Sequence, residues 1–323
     1  MNKSKKRLKF LLCLSAICML GSCKSNRYSG QGISFLSANK NDCILNVYDY
    51  KQENIYQKKL GDISEVFWLT STIYPDETIA VDNNNVIYVF KEDGMNTFEG
   101  IVENIIEIYK WKSQYIVVHA DENSSYIDLW KEDFSERLNS IHVEGTYDCS
   151  YMNNSSLYFS VYDDKEYSYS KIYSYSTDSA ELKVLYETDL AISIYPFWDN
   201  NQLYAFFNKK ITDITNVDIY RVYKITEGKQ EEIMRLEDSV KKVINYNGEN
   251  YVLIGEHSTY VNKIDLINGA DEKMYDINAE TPKSIFSDGD NLYVITDNTI
   301  YYCDNSTLEA KAYVDGLLVN EFR

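Results

Sequence analysis

A repeating pattern of strand and turn residues constrains the fold of this chain more than any other feature. A β-branched residue inside a strand-like run recurs at intervals of about 36 to 47 residues, and most runs are followed by a polar turn and another strand-like run. The recurring positions are Val47, Ile87, Ile127, Ile172, Ile219, Ile264 and Ile300. Such a period is typical of repeat architectures in which each unit is one small sheet.

A second set of positions gives the same number of units. Another strand-like run precedes each of the first set, and it begins near Phe35, Ile79, Tyr115, Leu157, Leu203, Tyr251 and Leu292. Most units also contain an earlier apolar run, such as ISEVFWLT, and a later one, such as LKVLYE. Four strands in about 42 residues are typical of a β-propeller blade. We therefore predict an all-β fold, a seven-bladed β-propeller with four-stranded antiparallel blades.

Two other arrangements fit the pattern less well, namely a six-bladed ring with one irregular unit and a β-sandwich. The first unit lacks its first strand, while the apolar segment GLLVNEFR at 316–323 follows a complete last unit. The sequence therefore predicts that a C-terminal strand joins the first blade and closes the ring. Closure would remove the sheet edges that otherwise promote aggregation.

The N-terminus carries the features of an export signal. Five cations between Lys3 and Lys9 precede an apolar run from Phe10 to Leu20, which is too short to span a bilayer as a helix. The sequence Leu20-Gly21-Ser22-Cys23 resembles the bacterial lipobox. This resemblance implies cleavage between Ser22 and Cys23 and attachment of lipid, including palmitate-type acyl chains, to Cys23. The alternative is a plain secretory signal with an incidental cysteine.

Residues 1–22 are thus predicted to be a lipoprotein signal peptide, 23–32 a lipidated tether and 33–323 the β-propeller domain. Taken together, these features resemble the broad group of bacterial β-propeller lipoproteins. The resemblance implies a location in the cell envelope, lipid-anchored on the extracytoplasmic side of a bacterial membrane. It extends to no particular subfamily, because WD40, kelch and quinoprotein repeat motifs are absent from the sequence.

The charge of the chain restricts its partners. The full sequence has 32 Lys and Arg against 50 Asp and Glu, and removal of the signal would leave a formal charge of about −23. Such a surface repels nucleic acid and anionic lipid. The sequence therefore predicts no nucleic-acid partner and a membrane contact made through the lipid on Cys23.

The predicted topology brings many acidic residues to one face of the ring. Links between consecutive blades are predicted to hold the candidate ligand-face residues Asp62, Glu65, Glu144, Asp189, Glu237, Asp238 and Glu280, together with Glu99 and Glu103. Links between the two middle strands of a blade are predicted to add Asp82, Asp121, Glu122, Asp163, Asp164, Glu256 and Asp297. A cationic ligand, a basic peptide or Ca²⁺ would suit such a face. The alternative is that it is simply the solvated surface of an acidic protein.

No catalytic residue, cofactor or metal site is predicted. The three histidines lie in different units, and the common hydrolase, metalloprotease and phosphate-loop motifs are absent from the sequence. Outside the signal and Cys23, the cysteines are Cys43, Cys149 and Cys303. One disulfide between Cys43 and Cys303 is an alternative to three free thiols.

The leading functional hypothesis is a noncatalytic binding or scaffold module that meets an envelope protein, peptide or glycan through one face. The competing hypothesis is an extracytoplasmic carbohydrate- or peptide-active hydrolase that uses carboxylates in the propeller funnel. A third is a purely structural envelope protein. The sequence predicts neither the oligomeric state nor whether the chain is an enzyme.

Overall fold

The computed structural model describes residues 32–39, 42–49, 51, 53–62, 69–73, 77–82, 84–91, 94–153, 155–163, 165, 169–189, 191–210, 217–255, 260–277, 282–287, 290–296, 299–304 and 307–313. All regular secondary structure in these residues is β-strand. This part of the chain contains no helix long and apolar enough to cross a membrane.

The strands form one three-stranded sheet followed by six four-stranded blades, here called A to F. The N-terminal sheet consists of β1 (Gly32–Asn39), β2 (Asp42–Asp49) and β3 (Asn54–Asp62). Blade A consists of β4 (Leu69–Ile73), β5 (Thr78–Asp82), β6 (Ile87–Lys91) and β7 (Gly94–Phe98). Blade B consists of β8 (Ile105–Trp111), β9 (Gln114–Asp121), β10 (Ser124–Lys131) and β11 (Arg137–Glu144). Blade C consists of β12 (Thr146–Met152), β13 (Ser156–Tyr162), β14 (Ser170–Ser176) and β15 (Glu181–Thr188).

The remaining blades follow the same plan. Blade D consists of β16 (Ala191–Asp199), β17 (Gln202–Lys210), β18 (Val217–Thr226) and β19 (Lys229–Arg235). Blade E consists of β20 (Val240–Tyr246), β21 (Glu249–Ile254), β22 (Tyr260–Asp265) and β23 (Ala270–Asp276). Blade F consists of β24 (Pro282–Ser287), β25 (Leu292–Thr296), β26 (Thr299–Asp304) and β27 (Thr307–Tyr313). Within each blade, every strand pairs antiparallel with the next strand in sequence.

The apolar core lies between consecutive blades, and β9 in blade B illustrates how one strand serves two interfaces. Tyr115 and Val117 pack towards blade A, while Ile116 and Val118 pack towards blade C. Because both faces of the strand are covered, the sequence reads as a continuous apolar run instead of an alternating one. Burial of a side chain such as Ile116 contributes about 1.5–3 kcal/mol.

The fourth strand of each blade is more exposed than the middle strands. On β23 the first four residues are all exposed, whereas every residue of β25 is buried. Meanwhile, first strands contact the first strands of neighbouring blades, as β12 does with β16 and β16 with β20. The first strands therefore lie innermost, around the axis of the propeller.

Polar side chains fix the start of several first strands to the preceding blade. The Asn85 side chain accepts a hydrogen bond from the backbone N–H of Ile105 at 2.9 Å. Asn208 accepts from the N–H of Val240 at 2.9 Å and donates to its carbonyl at 3.1 Å. These bonds satisfy backbone groups between sheets and hold the first strands in a defined register.

The predicted all-β propeller architecture is confirmed, with six four-stranded antiparallel blades. The N-terminal sheet has three strands, and its strand β1 contacts β4 of blade A. The count of seven four-stranded blades stays a prediction, because the proposed closing segment 316–323 lies outside the described residues. The signal peptide, Cys23 and nearly all of the tether also lie outside them.

The alternative disulfide is not formed. Cys303 is a buried free thiol on the third strand of blade F, and Cys149 is a partly buried, reduced thiol on β12. Cys303 packs with Leu253, Val261 and Leu292 in the core between blades E and F. Burial raises the pKa of its thiol to about 12.

Candidate functional site

The described ligand-face residues lie in the links between blades or at the end of the strand that precedes a link, but their environments differ. Glu144, Asp189 and Glu237 are exposed, and we call the end of the propeller that carries them the link face. Asp238 is 1% exposed, and its Oδ1 accepts the backbone N–H of Ser239 at 2.6 Å. Asp62 ends β3, while its side chain and the whole of Glu65 and Glu280 lie outside the described part of the chain.

Asp82, predicted in a middle link, serves the turn itself. It is 2% exposed, and its Oδ1 accepts the N–H groups of Asn84 at 2.9 Å and Val86 at 3.0 Å. Its Oδ2 accepts the hydroxyl of Tyr88 at 2.9 Å. Hydrogen bonds of this kind are the usual function of Asp in tight turns. Asp82 therefore stabilises blade A and is not presented to a ligand.

A second candidate region lies at the axis of the propeller, beside a β-bulge that recurs in the first strands of the blades. The pairing register of five first strands, β8, β12, β16, β20 and β24, shifts near the end that follows an interblade link. Directly after the bulge, equivalent third positions carry Glu107 on β8, Ser193 on β16, Lys242 on β20 and Ser284 on β24. A bulge redirects side chains and is common beside binding sites.

Glu107 is surrounded by hydroxyl groups. It is 4% exposed, and its Oε2 accepts hydrogen bonds from the hydroxyls of Tyr109 at 2.8 Å, Tyr147 and Ser150. The Tyr109 and Ser150 hydroxyl oxygens are also in contact, and either hydroxyl could donate to the other in place of Glu107. Because Tyr147 and Ser150 belong to β12, this carboxylate joins the first strands of blades B and C.

The two phenols beside Glu107 are strongly held in their protonated form. Burial first, and the neighbouring Glu107 charge second, raise the pKa of both Tyr109 and Tyr147 well above the usual value. Burial likewise raises the pKa of Tyr195 on β16, and Glu107 adds a smaller effect. These phenols therefore act as hydrogen-bond donors at neutral pH and not as bases.

Lys242 supplies the positive charge of the same region. Its Nζ donates to the Ser284 hydroxyl at 3.3 Å. Burial lowers the pKa of Lys242, and the charge of Glu107 partly offsets that effect. We call Glu107, Tyr109, Tyr147, Ser150, Tyr195, Lys242 and Ser284 the axial cluster.

The axial cluster provides binding groups in place of a carboxylate pair. Asp148, the other carboxylate near the bulges of the described first strands, accepts the backbone N–H of Ile194 at 3.0 Å with its Oδ2. Oε2 of Glu107 is already bonded to three hydroxyls. The described residues also contain no group of three or more His, Cys, Asp or Glu arranged to hold a metal ion.

The sequence prediction missed the axial cluster, although a signal was present. Glu107 and Ser193 occupy the same place in the related segments IIEIY and AISIY, and Lys242 occupies it in VKKVI. A polar residue that recurs at one position of an otherwise apolar first strand indicates that this position is not part of the apolar core. The pattern itself says nothing about which of these residues come together.

Comparison with known proteins identifies the fold of this chain but assigns it to no family. The chain matches no protein-family model and no curated protein sequence. Among solved structures, it is similar to the Pyrococcus horikoshii acylaminoacyl peptidase, with a TM-score of 0.55 and 12% identity over 86% of this chain and 52% of that one. It is also similar to a Mycobacterium tuberculosis puromycin-hydrolyzing peptidase, with a TM-score of 0.56 and 9% identity over 92% of this chain and 55% of that one.

A third similar structure matches over nearly its whole length. This is a putative 6-phosphogluconolactonase from Bacteroides uniformis, with a TM-score of 0.54 and 10% identity, covering 90% of this chain and 98% of that one. The chain therefore spans about half the length of the two peptidases and nearly all of the lactonase. At these identities the likeness shows one thing, that this chain has a β-propeller fold.

Proposed function

We propose that this chain is an extracytoplasmic, lipid-anchored β-propeller that binds a protein, peptide or glycan through its link face without catalysis. The observation that supports this most is the state of the axial carboxylates. Glu107 is surrounded by hydroxyl donors, and Asp148 binds backbone. A glycosidase of the common type needs two carboxyl groups free to act as acid and as base or nucleophile.

The charge of the link face suits a cationic partner segment. Glu144, Asp189 and Glu237 are exposed on three consecutive links. Exposed charges mainly increase the association rate and the selectivity for a partner of opposite sign. Binding should therefore weaken as the salt concentration rises.

The test compares two triple variants in an affinity capture from the protein's own envelope. The first, Glu144→Gln, Asp189→Asn and Glu237→Gln, removes three link-face charges. The matched control, Glu181→Gln, Glu231→Gln and Glu272→Gln, removes three exposed charges from fourth strands. We expect the first variant to lose the captured partner and the control to retain it. Equal capture by both variants would contradict the proposed role of the link face.

The second candidate function is a hydrolase, and the structural neighbours favour it. The similar structures include two peptidases and a putative lactonase. A screen of the purified chain with peptide, glycan and lactone substrates tests this candidate. Turnover that is lost in Glu107→Gln and retained in Glu103→Gln would replace the noncatalytic proposal with a hydrolase acting at the axis.

The proposed anchor is the lipid on Cys23, and it has its own test. Cells expressing the full chain would be fed an alkyne analogue of palmitate. We expect labelling of the parent and of Cys303→Ser, and no labelling of Cys23→Ser. Labelling of Cys23→Ser at the parent level would contradict the proposed anchor.

We also propose that the N-terminal sheet is a seventh blade completed by residues 316–323. The three strands of this sheet and the contact of β1 with β4 support this. Deletion of residues 316–323 should lower the melting temperature of the whole domain, because a closed ring would lose its joining strand. A point control within the segment, Asn320→Ser, should melt like the parent. If the deletion also melts like the parent, the closure proposal is wrong.

A further inference from the structure

The ammonium group of Lys242 contacts a hydroxyl, whereas several other lysines described in the structure contact carboxylates. Lys91 and Lys110 bind the carboxylate of Glu77, and Lys131, Lys171, Lys263 and Lys273 each form a salt bridge with a nearby acid. Lys242 forms no salt bridge with any carboxylate in the described part of the chain, although it is partly buried. Its described partner is a neutral hydroxyl, that of Ser284.

The hydrogen-bonding capacity of Lys242 is therefore largely unused among the described residues. An ammonium group has three donors, and one of them points to the Ser284 hydroxyl. Glu107 influences Lys242 only through its charge, and it forms its hydrogen bonds with Tyr109, Tyr147 and Ser150. A buried cation with spare donors is unfavourable unless an anion or a polar ligand completes it.

Two further lysines lie beside Lys242 and Ser284 in sequence. Lys241 and Lys283 are the residues skipped by the pairing register at the bulges of β20 and β24, and both are partly buried. Two adjacent first strands thus bring three lysines to the same end of the propeller. Of the link-face acids, Asp189 and Glu237 lie in the links that follow blades C and D, and Glu144 is the last residue of β11.

We propose that Lys242 and Ser284 form an axial oxyanion-binding site for a small ligand that carries a carboxylate or phosphate group. The ammonium and the hydroxyl would both donate to the oxyanion, a charge-assisted arrangement that is stronger than a neutral hydrogen bond. The acidic links would repel long polyanions approaching the same end, so the site suits small anions. This site goes beyond the proposed docking role, because it would bind its ligand whether or not the link face meets a macromolecule.

Calorimetric titration of the purified chain tests the proposal, with sodium acetate and inorganic phosphate as probes at constant ionic strength. Acetamide serves as the uncharged probe. We expect the parent to bind acetate, phosphate or both, and not acetamide. The anion that binds more tightly identifies the ligand class. Absence of binding of both anions to the parent would overturn the proposal.

Variants then locate the bound anion. Lys242→Met should weaken binding about tenfold or more, and Ser284→Ala should weaken it about threefold, because each loses a donor to the oxyanion. Lys263→Met, which removes a partly exposed lysine paired with Glu249, should bind like the parent. Parent-like binding by Lys242→Met would overturn the proposal.

A measurement on the parent covers the case in which a variant fails to fold. With ¹³C-labelled lysine, the ε-carbon signal of Lys242 should shift on titration with the anion that binds, while the signal of Lys263 should not. A titration that moves both signals equally would indicate nonspecific ion binding and contradict the axial site. These measurements use no envelope partner, so their outcome is independent of the proposed docking function.

Discussion

Two buried glutamates of this propeller, Glu77 and Glu107, have different partners: lysines contact Glu77, and hydroxyl groups contact Glu107. Glu77 is 0% exposed, and its Oε2 lies 2.9 Å from the Nζ of Lys110 and 3.3 Å from that of Lys91. Its Oε1 accepts the Tyr115 hydroxyl at 2.7 Å. Glu107 is 4% exposed and accepts hydrogen bonds from neutral hydroxyls. Its charge partly offsets the effect of burial, which lowers the pKa of Lys242, but the two side chains form no salt bridge in the described part of the chain.

The difference separates a carboxylate in direct ion pairs from a carboxylate bonded to hydroxyls, which acts on Lys242 only through its charge. Between blades A and B, Lys91 and Lys110 both contact the buried carboxylate of Glu77, so its removal takes a buried ion-pair partner from each of them. Around Glu107, hydroxyls solvate the carboxylate, and both it and Lys242 remain able to respond to a ligand. Groups whose pKa is shifted by burial and by a specific charge partner, as that of Lys242 is, are concentrated at functional sites.

Among the variants that test this comparison, Glu77→Gln should have the largest effect on the free energy of unfolding. The substitution leaves Lys91 and Lys110 without the buried carboxylate, and we expect a loss of about 3–5 kcal/mol in the free energy of unfolding. Urea denaturation measures it. Glu132→Gln, which removes the partly exposed second partner of Lys91, is the control and should cost under about 1 kcal/mol. Similar losses for the two variants would show that the buried carboxylate of Glu77 contributes no more than the partly exposed one of Glu132.

Asp128 provides a third buried carboxylate and a pH test. Burial alone would raise its pKa, but hydrogen bonds from His119, Ser140 and Arg137 outweigh that effect and lower the pKa below the usual value. Its stabilising contribution should therefore be complete above about pH 5 and decline as the pH falls below about 4. Asp128→Asn should cost about 1–2 kcal/mol at pH 7.

The measurement for Asp128 is urea denaturation of the parent and Asp128→Asn between pH 7 and pH 3. The stability difference should shrink towards the acid end, where the parent carboxylate is also protonated. Asp178→Asn, which removes an exposed partner of Lys112, is the control. A difference that stays constant over the whole range would show that Asp128 is held by packing and not by its charge.

A smaller effect on stability is expected for Glu107→Gln. The amide oxygen can still accept from the hydroxyls, so the loss should be about 1 kcal/mol, the difference between charged and neutral hydrogen bonds. The pKa of Lys242 should fall further, because the charge that offsets its burial is removed. The ¹³C signal of Lys242 followed against pH measures this shift. Exposed Glu103 is the control, and an equal fall in Glu103→Gln would contradict a specific coupling.

The last prediction concerns chemical labelling of the apolar core between blades E and F, whose described residues include no charged group comparable to those of the axial cluster. Because burial raises the pKa of the Cys303 thiol to about 12, little thiolate is present at pH 8. Iodoacetamide should therefore leave Cys303 unmodified in the folded protein and modify it after unfolding in urea. Mass spectrometry of the labelled peptides measures both states. Modification of native Cys303 at the unfolded rate would show that the core between blades E and F opens readily.

The strand pattern predicted most of the fold. Positions such as Ile127 and Leu157 fall on the third and second strands of their blades, β10 and β13, as the repeat required. The prediction succeeded because strand and turn preferences are local and repeat in every unit. The missing first strand of the opening unit also agrees with the three-stranded sheet.

The candidate site was predictable only in part. Link positions such as Glu144 and Glu237 follow from the strand order, and both are exposed as a ligand face requires. The same reasoning placed Asp238 and Asp82 on that face, yet both are buried and bound to backbone. Exposure depends on how a link packs against its neighbours, and strand order alone does not specify that packing.

The sequence by itself determined the all-β class, the repeat and the acidic links, because these depend on residue preferences and spacing within one unit. The tertiary structure alone decided the axial cluster. Glu107 and Ser150 lie 43 residues apart, and Lys242 and Ser284, which are the third residues of successive first strands, lie 42 apart. They meet because the first strand of every blade turns towards a common axis, which no single repeat can reveal.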